Sequence, residues 1–361
     1  MMDTQWSKNH QAMLDEGWSM FQKISRLPTL WQHAQRVKKG ATPSEVVYEE
    51  DRLKVIHYLS NEPRRHKIPV VFVFALVNRP YILDLLPNKS VVEQFVNAGF
   101  DTYLVDWGTP THADRHSTLD TYINGYLRNV VNFVNERTGA EKVNLLGYCM
   151  GGTMSTMFTA LHPELVNNLI LMAAGIDFET REGLLNMWAD ENAFDVDAFV
   201  EAYGNCPPEF LQASFQMLKP VSNFIEKPIA LMERMDNPKF VDEYMTMETW
   251  LNDNIPLPGE LFREFVKYLY QKNLLVKNQM PVGRHVVNLK QITCPILNLM
   301  ATQDDLVPCA QSEPLNDLVG STDRKTIKFK AGHIGLAVSS RAQRELWPKV
   351  TEWLGERDST I

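Results

Sequence analysis

The run Gly147-Tyr148-Cys149-Met150-Gly151-Gly152 sets a thiol among small residues, in the pattern Gly-x-nucleophile-x-Gly. An apolar strand-like run, Val143 to Leu146, precedes it, and a helical stretch, Thr153 to His162, follows. That is the context of a nucleophile elbow, a strained strand-to-helix turn whose neighbours must be small. A helix N-terminus there favours a thiolate and offers backbone N–H groups to an oxyanion. Without its context the same string reads as a glycine-rich turn with a buried cysteine; the flanking strand and helix favour the elbow.

A nucleophile of this kind needs an acid and then a histidine, later in the chain and in that order. Ile296 to Met300 reads as a late strand, and its loop is Ala301-Thr302-Gln303-Asp304-Asp305-Leu306-Val307-Pro308. Thr326 to Phe329 reads as the last strand, followed by Ala331-Gly332-His333-Ile334-Gly335. The expected triad is Cys149, His333 and Asp304, with Asp305 as the alternative acid. His333 takes the proton from the thiol and later from an incoming hydroxyl, and Asp304 orients His333 and stabilises its charged form. The second oxyanion donor is expected in Ala75-Leu76-Val77-Asn78-Arg79-Pro80-Tyr81, after the strand Val70 to Phe74. The backbone N–H groups of Val77 and Met150 are the expected pair, whereas Asn78 and Arg79 fit a structural role equally.

Cysteine in place of serine bears on the reaction. An acyl-serine is an ester, so forming it from a thioester dissipates much of the driving force. An acyl-cysteine is itself a thioester, so transfer from CoA is nearly balanced and the acyl group stays activated. A second hydroxyl can then attack it to make an ester. The thiol suits an acyltransferase using thioester donors, although water as the second nucleophile gives a hydrolase.

These residues require a scaffold, and the hydrophobic pattern supplies one. Val46 to Tyr48 and Leu53 to Leu59 read as a hairpin around Glu49 to Arg52. Then come the strand Val70 to Phe74, a helix Ser90 to Ala98, the strand Asp101 to Val105 and a helix Leu119 to Thr138. The elbow strand and helix and the strand Asn168 to Ala173 complete the first half. Short apolar strands alternating with helices indicate a parallel sheet buried on both faces. From about Asp177 to Val287 the alternation stops in a stretch rich in Met and aromatic residues, broken by Pro and Asn. It resumes with Ile296 to Met300, a helix near Cys309 to Val319, Thr326 to Phe329 and a last helix from Ser340 to Glu356. This is the layout of an α/β-hydrolase fold with a mainly helical cap (lid) insertion. The expected division is an N-terminal helical segment at 1–40, a core at 41–176 and 288–361, and the cap at 177–287. Met187 to Tyr270 is read first as core packing and, under a lid, as the lining of an acyl tunnel.

Composition narrows the class. The chain has 361 residues, 44% of them hydrophobic, and a formal net charge of -8. The acidic balance argues against general affinity for nucleic acid or anionic membrane. No secretory signal and no run long enough to span a membrane is visible, so a cytoplasmic location is expected. Cys149, Cys206, Cys294 and Cys309 show no zinc spacing, so no metal and no resident cofactor are expected. His112 and His116 read as solvated loop histidines.

From about Thr42 to Glu356 the chain resembles the polyhydroxyalkanoate synthases. The elbow resembles that family's lipase-like box with cysteine for serine. Val77-Asn78-Arg79-Pro80-Tyr81-Ile82-Leu83-Asp84-Leu85, Asp106-Trp107-Gly108, and Trp250 with Asn252-Asp253-Asn254-Ile255-Pro256 and Pro258-Gly259-Glu260 are similar to its other motifs. The resemblance implies growth of a polyester chain on the cysteine from (R)-3-hydroxyacyl-CoA, with release of CoA. It implies the triad roles above, the loop Leu306-Val307-Pro308 marking Asp304 as the acid. It also implies a mobile cap, dimers, and residence on polyester granules in the cytoplasm. The chain length resembles the two-subunit classes, which need a dissimilar second subunit. Ala113-Asp114-Arg115 and Leu119 to Tyr126 are more similar to class III than to class IV. One departure stands out: the family usually has histidine after the catalytic aspartate, and here it is Asp305. Two other functions fit the fold: a cysteine thioesterase or lactone hydrolase, and a non-catalytic granule-binding protein.

Overall fold

The computed structural model describes residues 40–60, 63–180 and 182–358. The N-terminal helical segment expected at 1–40 lies outside them but for its last residue. By backbone contacts the described residues fall into two compact units, Lys219–Asp253 and the remainder.

The larger unit is built on an eight-stranded sheet: β1 (Ser44–Glu50), β2 (Leu53–Tyr58), β3 (Val70–Val73), β4 (Thr102–Asp106), β5 (Val143–Tyr148), β6 (Val166–Met172), β7 (Ile296–Ala301) and β8 (Arg324–Phe329). Their spatial order is β1-β2-β4-β3-β5-β6-β7-β8. The hairpin β1–β2 is antiparallel, β2 is antiparallel to β4, and every later pairing is parallel. Residues 70–73 and 143–148 are buried throughout, as expected of central parallel strands covered by helices on both faces.

Three helices follow strands in the first half: α1 (Val91–Asn97), α2 (Arg128–Thr138) and α3 (Met150–Leu161). Two long helices of the sequence reading are each subdivided. The stretch expected over Leu119 to Thr138 opens with a π-helical segment, Thr121–Leu127, before α2 begins. The C-terminal helix is two pieces, Ser340–Glu345 and Trp347–Gly355. Pro348 lacks the N–H that a continuous helix would use there, so a new helix starts with proline in its first turn. Pro314 likewise separates Cys309–Ser312 from Leu315–Leu318.

Between β6 and β7, the larger unit carries short helices at Leu184–Trp188, Val196–Tyr203, Pro208–Gln216 and Gly259–Glu264, then a π-helical segment Phe265–Gln271. A two-residue ladder, Pro281–Val282 with His285–Val286, closes this stretch. The smaller unit is helical, with Ser222–Glu226, Lys227–Arg234 and Pro238–Leu251. In its last helix the Asn237 side chain accepts from Phe240 N–H and Pro238 sits at the first turn, a strong N-terminal signal. The Arg234 guanidinium lies 3.9 Å from the centroid of the Phe240 ring. Among the described residues no helix is long and apolar enough to cross a membrane.

Candidate active site

Cys149 is the one residue between β5 and α3. Its φ of 55° and ψ of -127° lie where a residue with a Cβ is strained, at a cost of about 1–3 kcal/mol. The glycines around it are sterically required. A Cβ on Gly151 would stand 2.2 Å from the Val73 carbonyl oxygen, and one on Gly152 would stand 2.5 Å from the Ala174 Cβ. The turn is fastened on both sides: Cys149 N–H donates to the Met172 carbonyl at 2.9 Å, and its own carbonyl accepts from Gly152 and Thr153 N–H. This close approach lets the helix begin at Met150, three residues before the Thr153 start read from the sequence.

Strand adjacency delivers the other groups. β7 and β8 run parallel in register, Ala301 opposite Phe329. Thr302 N–H and Gln303 N–H continue the ladder to the Phe329 and Ala331 carbonyls. The loops leaving both strands are therefore held side by side, and Asp304 meets His333: Oδ2 lies 2.7 Å from Nδ1. The other carboxylate oxygen, Oδ1, accepts from Leu306 and Val307 N–H, both at 2.9 Å. The Asp304 side chain is fully buried, whereas Asp305 is exposed.

With Nδ1 engaged by Asp304, the other ring nitrogen of His333 is left for Cys149, which acts on the ring electrostatically. Burial lowers the His333 pKa, but the charges of Asp304 and Cys149 and the hydrogen bond to Asp304 outweigh it and push it up to about 10. The site thus favours an imidazolium flanked by two acidic partners.

Val77 and Met150 both line the cavity that Cys149 opens into. β3 and β5 are parallel neighbours, so the loop holding Val77 and the elbow leave the same end of the sheet. Met150 begins α3, where N–H groups have no intrahelical acceptor. Asn78 and Arg79 have structural work: Asn78 donates to Asn254 Oδ1 at 3.0 Å, and Arg79 donates to Thr109 Oγ1 at 2.6 Å.

Several residues near the site carry roles that sequence reading did not assign. The Tyr148 ring stacks on His333, and its hydroxyl donates to the His333 carbonyl at 3.1 Å. Burial, then the charges of Cys149 and Asp304, hold the Tyr148 pKa well above its usual value, so it stays a neutral donor. Trp107 Nε1 donates to the Phe74 carbonyl at 2.9 Å, tying the loop after β4 to the end of β3. Asp84 is a buried carboxylate that accepts from Ala41 and Thr42 N–H and from the Thr42 and Ser90 hydroxyls. Two of the motif segments quoted above therefore serve the scaffold. His112 and His116 lie on a short exposed 3-10 turn, where Arg115 donates to the His112 carbonyl.

Three other thiols are present, Cys206, Cys294 and Cys309. Burial pushes the Cys206 thiol far up and Cys294 to about 11, and it also raises Cys309. The cavity beside Cys149 is walled mainly by apolar side chains, among them Phe178, Leu185, Phe262 and Val307.

Known proteins resemble this chain in fold and in sequence. Residues 70–339 match the family described as the alpha/beta hydrolase fold. Residues 34–95 match the N-terminal region of poly-beta-hydroxybutyrate polymerase (PhaC). The monoacylglycerol lipase of Paleococcus ferrophilus superimposes with a TM-score of 0.51 at 15% identity, over 85% of this chain and 100% of that one, a likeness of fold. The poly(3-hydroxyalkanoate) polymerase subunit PhaC of Haloferax mediterranei is 46% identical over 90% of this chain, which spans 66% of that protein's length. The PhaC subunit of Allochromatium vinosum is 40% identical over 99% of both chains. On this evidence the chain belongs to the poly(3-hydroxyalkanoate) polymerase subunit (PhaC) family, with an α/β-hydrolase fold.

Proposed function

We propose that this chain is the catalytic subunit of a polyester synthase that polymerises (R)-3-hydroxyacyl-CoA through an acyl-cysteine. The observation that carries the reading is the relay Asp304–His333–Cys149, at the edge of an apolar cavity, in a chain 40% identical to a polymerase subunit over its length.

The steps follow from the residues. The Cys149 proton rests on the ring nitrogen of His333 that faces it, and the sulfur attacks the thioester carbonyl. The developing oxyanion is held by the N–H groups of Val77 and Met150. The carbon–sulfur bond to CoA breaks, and the departing thiolate takes the proton back from His333. The hydroxyl of another hydroxyacyl unit then gives its proton to His333 and attacks the acyl-cysteine, forming an ester and releasing the Cys149 sulfur. Asp304 keeps the imidazole oriented and compensates its charge throughout. No resident cofactor or metal takes part in this scheme; CoA enters as the leaving group of the substrate.

The same reading extends to the assembly. The relatives are named polymerase subunits, which supports a dissimilar second subunit, in a homodimer or hetero-oligomer; class III over class IV rests on the segments Ala113-Asp114-Arg115 and Leu119 to Tyr126. The stretch at 177–287 is the cap insertion, and its parts at 177–218 and 254–287 supply walls of the acyl cavity. The working location is the granule surface in the cytoplasm, where the growing polyester lies.

The test is CoA release from (R)-3-hydroxybutyryl-CoA together with polymer recovery, by the chain alone and with a candidate second subunit. Polymer that disappears in Cys149→Ala supports the synthase. CoA release that yields only free hydroxy acid under both conditions overturns it in favour of a cysteine thioesterase. A Cys149→Ala chain that retains its cellular role supports a binding protein instead.

A further inference from the structure

One side chain in the cavity has polar capacity that the described residues leave unused. Gln311 is fully buried, and among the described residues neither its amide oxygen nor its amide nitrogen completes a hydrogen bond. Leaving such a group unmet costs about 1–3 kcal/mol, and each case in a native fold calls for a reason.

The backbone around Gln311 is firmly held. Its N–H donates to the Pro308 carbonyl, and its own carbonyl accepts from Ile176 and Asp177 N–H, all at 2.9 Å. The main chain is therefore fixed at a point where this residue lines the cavity that Cys149 shares. A methyl at Gly175 would stand 3.4 Å from Gln311 Cδ, and Gly175 also accepts from the Thr153 hydroxyl in the first turn after Cys149. Tyr270 joins the two: burial and then the charge of Cys149 raise the phenol's pKa, while the Gln311 amide, too loosely placed to close a hydrogen bond of normal geometry, draws it back down.

Two hydroxyls of the cavity are already engaged. The Thr153 hydroxyl donates to Gly175 at 2.7 Å, and the Ser214 hydroxyl donates to Phe210 at 2.8 Å. In the proposed reaction the acyl carbonyl oxygen belongs to the backbone N–H pair. The polar atom of a hydroxyacyl group then left to satisfy is its hydroxyl, which both donates and accepts. A primary amide also does both.

We propose that the Gln311 side chain hydrogen-bonds the hydroxyl of the hydroxyacyl group carried at Cys149, and so selects hydroxyacyl over plain acyl thioesters. This rests on the synthase reading above. A site built to bond a hydroxyl discriminates against the analogue that lacks it, because its own polar group is then left unpaired.

The experiment compares the rate of CoA release in the first turnover from (R)-3-hydroxybutyryl-CoA and from butyryl-CoA, in the whole chain and in Gln311→Met and Gln311→Leu. The variants are expected to lose the preference for the hydroxyacyl donor by about 10- to 100-fold, with the butyryl rate changed by less than about threefold. Their melting temperature is expected to stay level or rise, since an unmet amide has been removed. An unchanged preference overturns the proposal, as does an equal fall in both rates, which marks Gln311 as packing. If the unaltered chain releases CoA from neither donor, the synthase reading falls and this proposal with it. If it releases CoA and the variants keep its preference, only the role of Gln311 falls.

Discussion

The Tyr148 ring lies over the His333 imidazole with centroids 5.0 Å apart and planes 25° from parallel, and its hydroxyl donates to the backbone carbonyl of His333. The residue before the nucleophile thus orients the base, so the elbow sets two members of the relay at once. Tyr148→Phe keeps the ring and removes one hydrogen bond, with an expected loss of about 1 kcal/mol in chemical denaturation. Tyr148→Ala removes the stacking surface as well and is expected to lose about 3–5 kcal/mol. If Tyr148→Phe lowers first-turnover CoA release while KM stays fixed, the hydroxyl contributes to holding His333.

Asp304→Asn keeps the shape of the loop but replaces the charge opposite His333. First-turnover CoA release is expected to fall by about 10²–10⁴-fold, with KM little changed. Asp305→Asn, at an exposed carboxylate, is expected to stay within about twofold of the unaltered rate, as substitutions of exposed residues commonly do. The reverse ranking in the same assay would move the acid to Asp305.

The pH dependence of stability follows from His333. Its pKa in the folded chain lies at about 10, against 6.5 for an ordinary histidine. A base raised on folding stabilises fully below the unfolded value and loses that stabilisation as pH rises through the folded one. The denaturation midpoint is therefore expected to decline between about pH 6.5 and pH 10 from this group. Cys149→Ala removes one of the two acidic partners, so the NMR titration of the His333 ring should move to lower pH. A titration that does not move would remove Cys149 as a partner of the ring.

Much of this was legible beforehand, for local reasons. Val70–Val73 and Val143–Tyr148 are unbroken apolar runs because both sheet faces are covered. The elbow is legible because its steric demand falls on Gly151 and Gly152, which adjoin Cys149 in sequence. The choice between Asp304 and Asp305 is different: it depends on which carboxylate the Leu306 and Val307 amides collect, and only the folded turn decides that. Tyr148 and Gln311 were passed over because an apolar pattern marks a position as buried without saying what it faces. The break before Trp347 had a signal in Pro348 that a continuous amphipathic pattern overrode.

The elbow glycines make a fourth prediction. Gly151→Ala drives a Cβ to 2.2 Å from the Val73 oxygen, a backbone atom that cannot yield. The expected loss is about 1–3 kcal/mol or more, read by thermal denaturation. Gly139→Ala tests the contrast. Its Cβ meets nothing within 4 Å, although a φ of 73° still strains it, so the expected loss is only about 1 kcal/mol, the cost of a left-handed residue.

The most direct test of the central claim is peptide mass spectrometry of the chain quenched during turnover of (R)-3-hydroxybutyryl-CoA. Hydroxybutyryl units are expected on the peptide carrying Cys149, growing in steps of one monomer, and none on peptides carrying Cys206, Cys294 or Cys309. An unmodified Cys149 during sustained CoA release, or an acyl group on a different thiol, would contradict the claim.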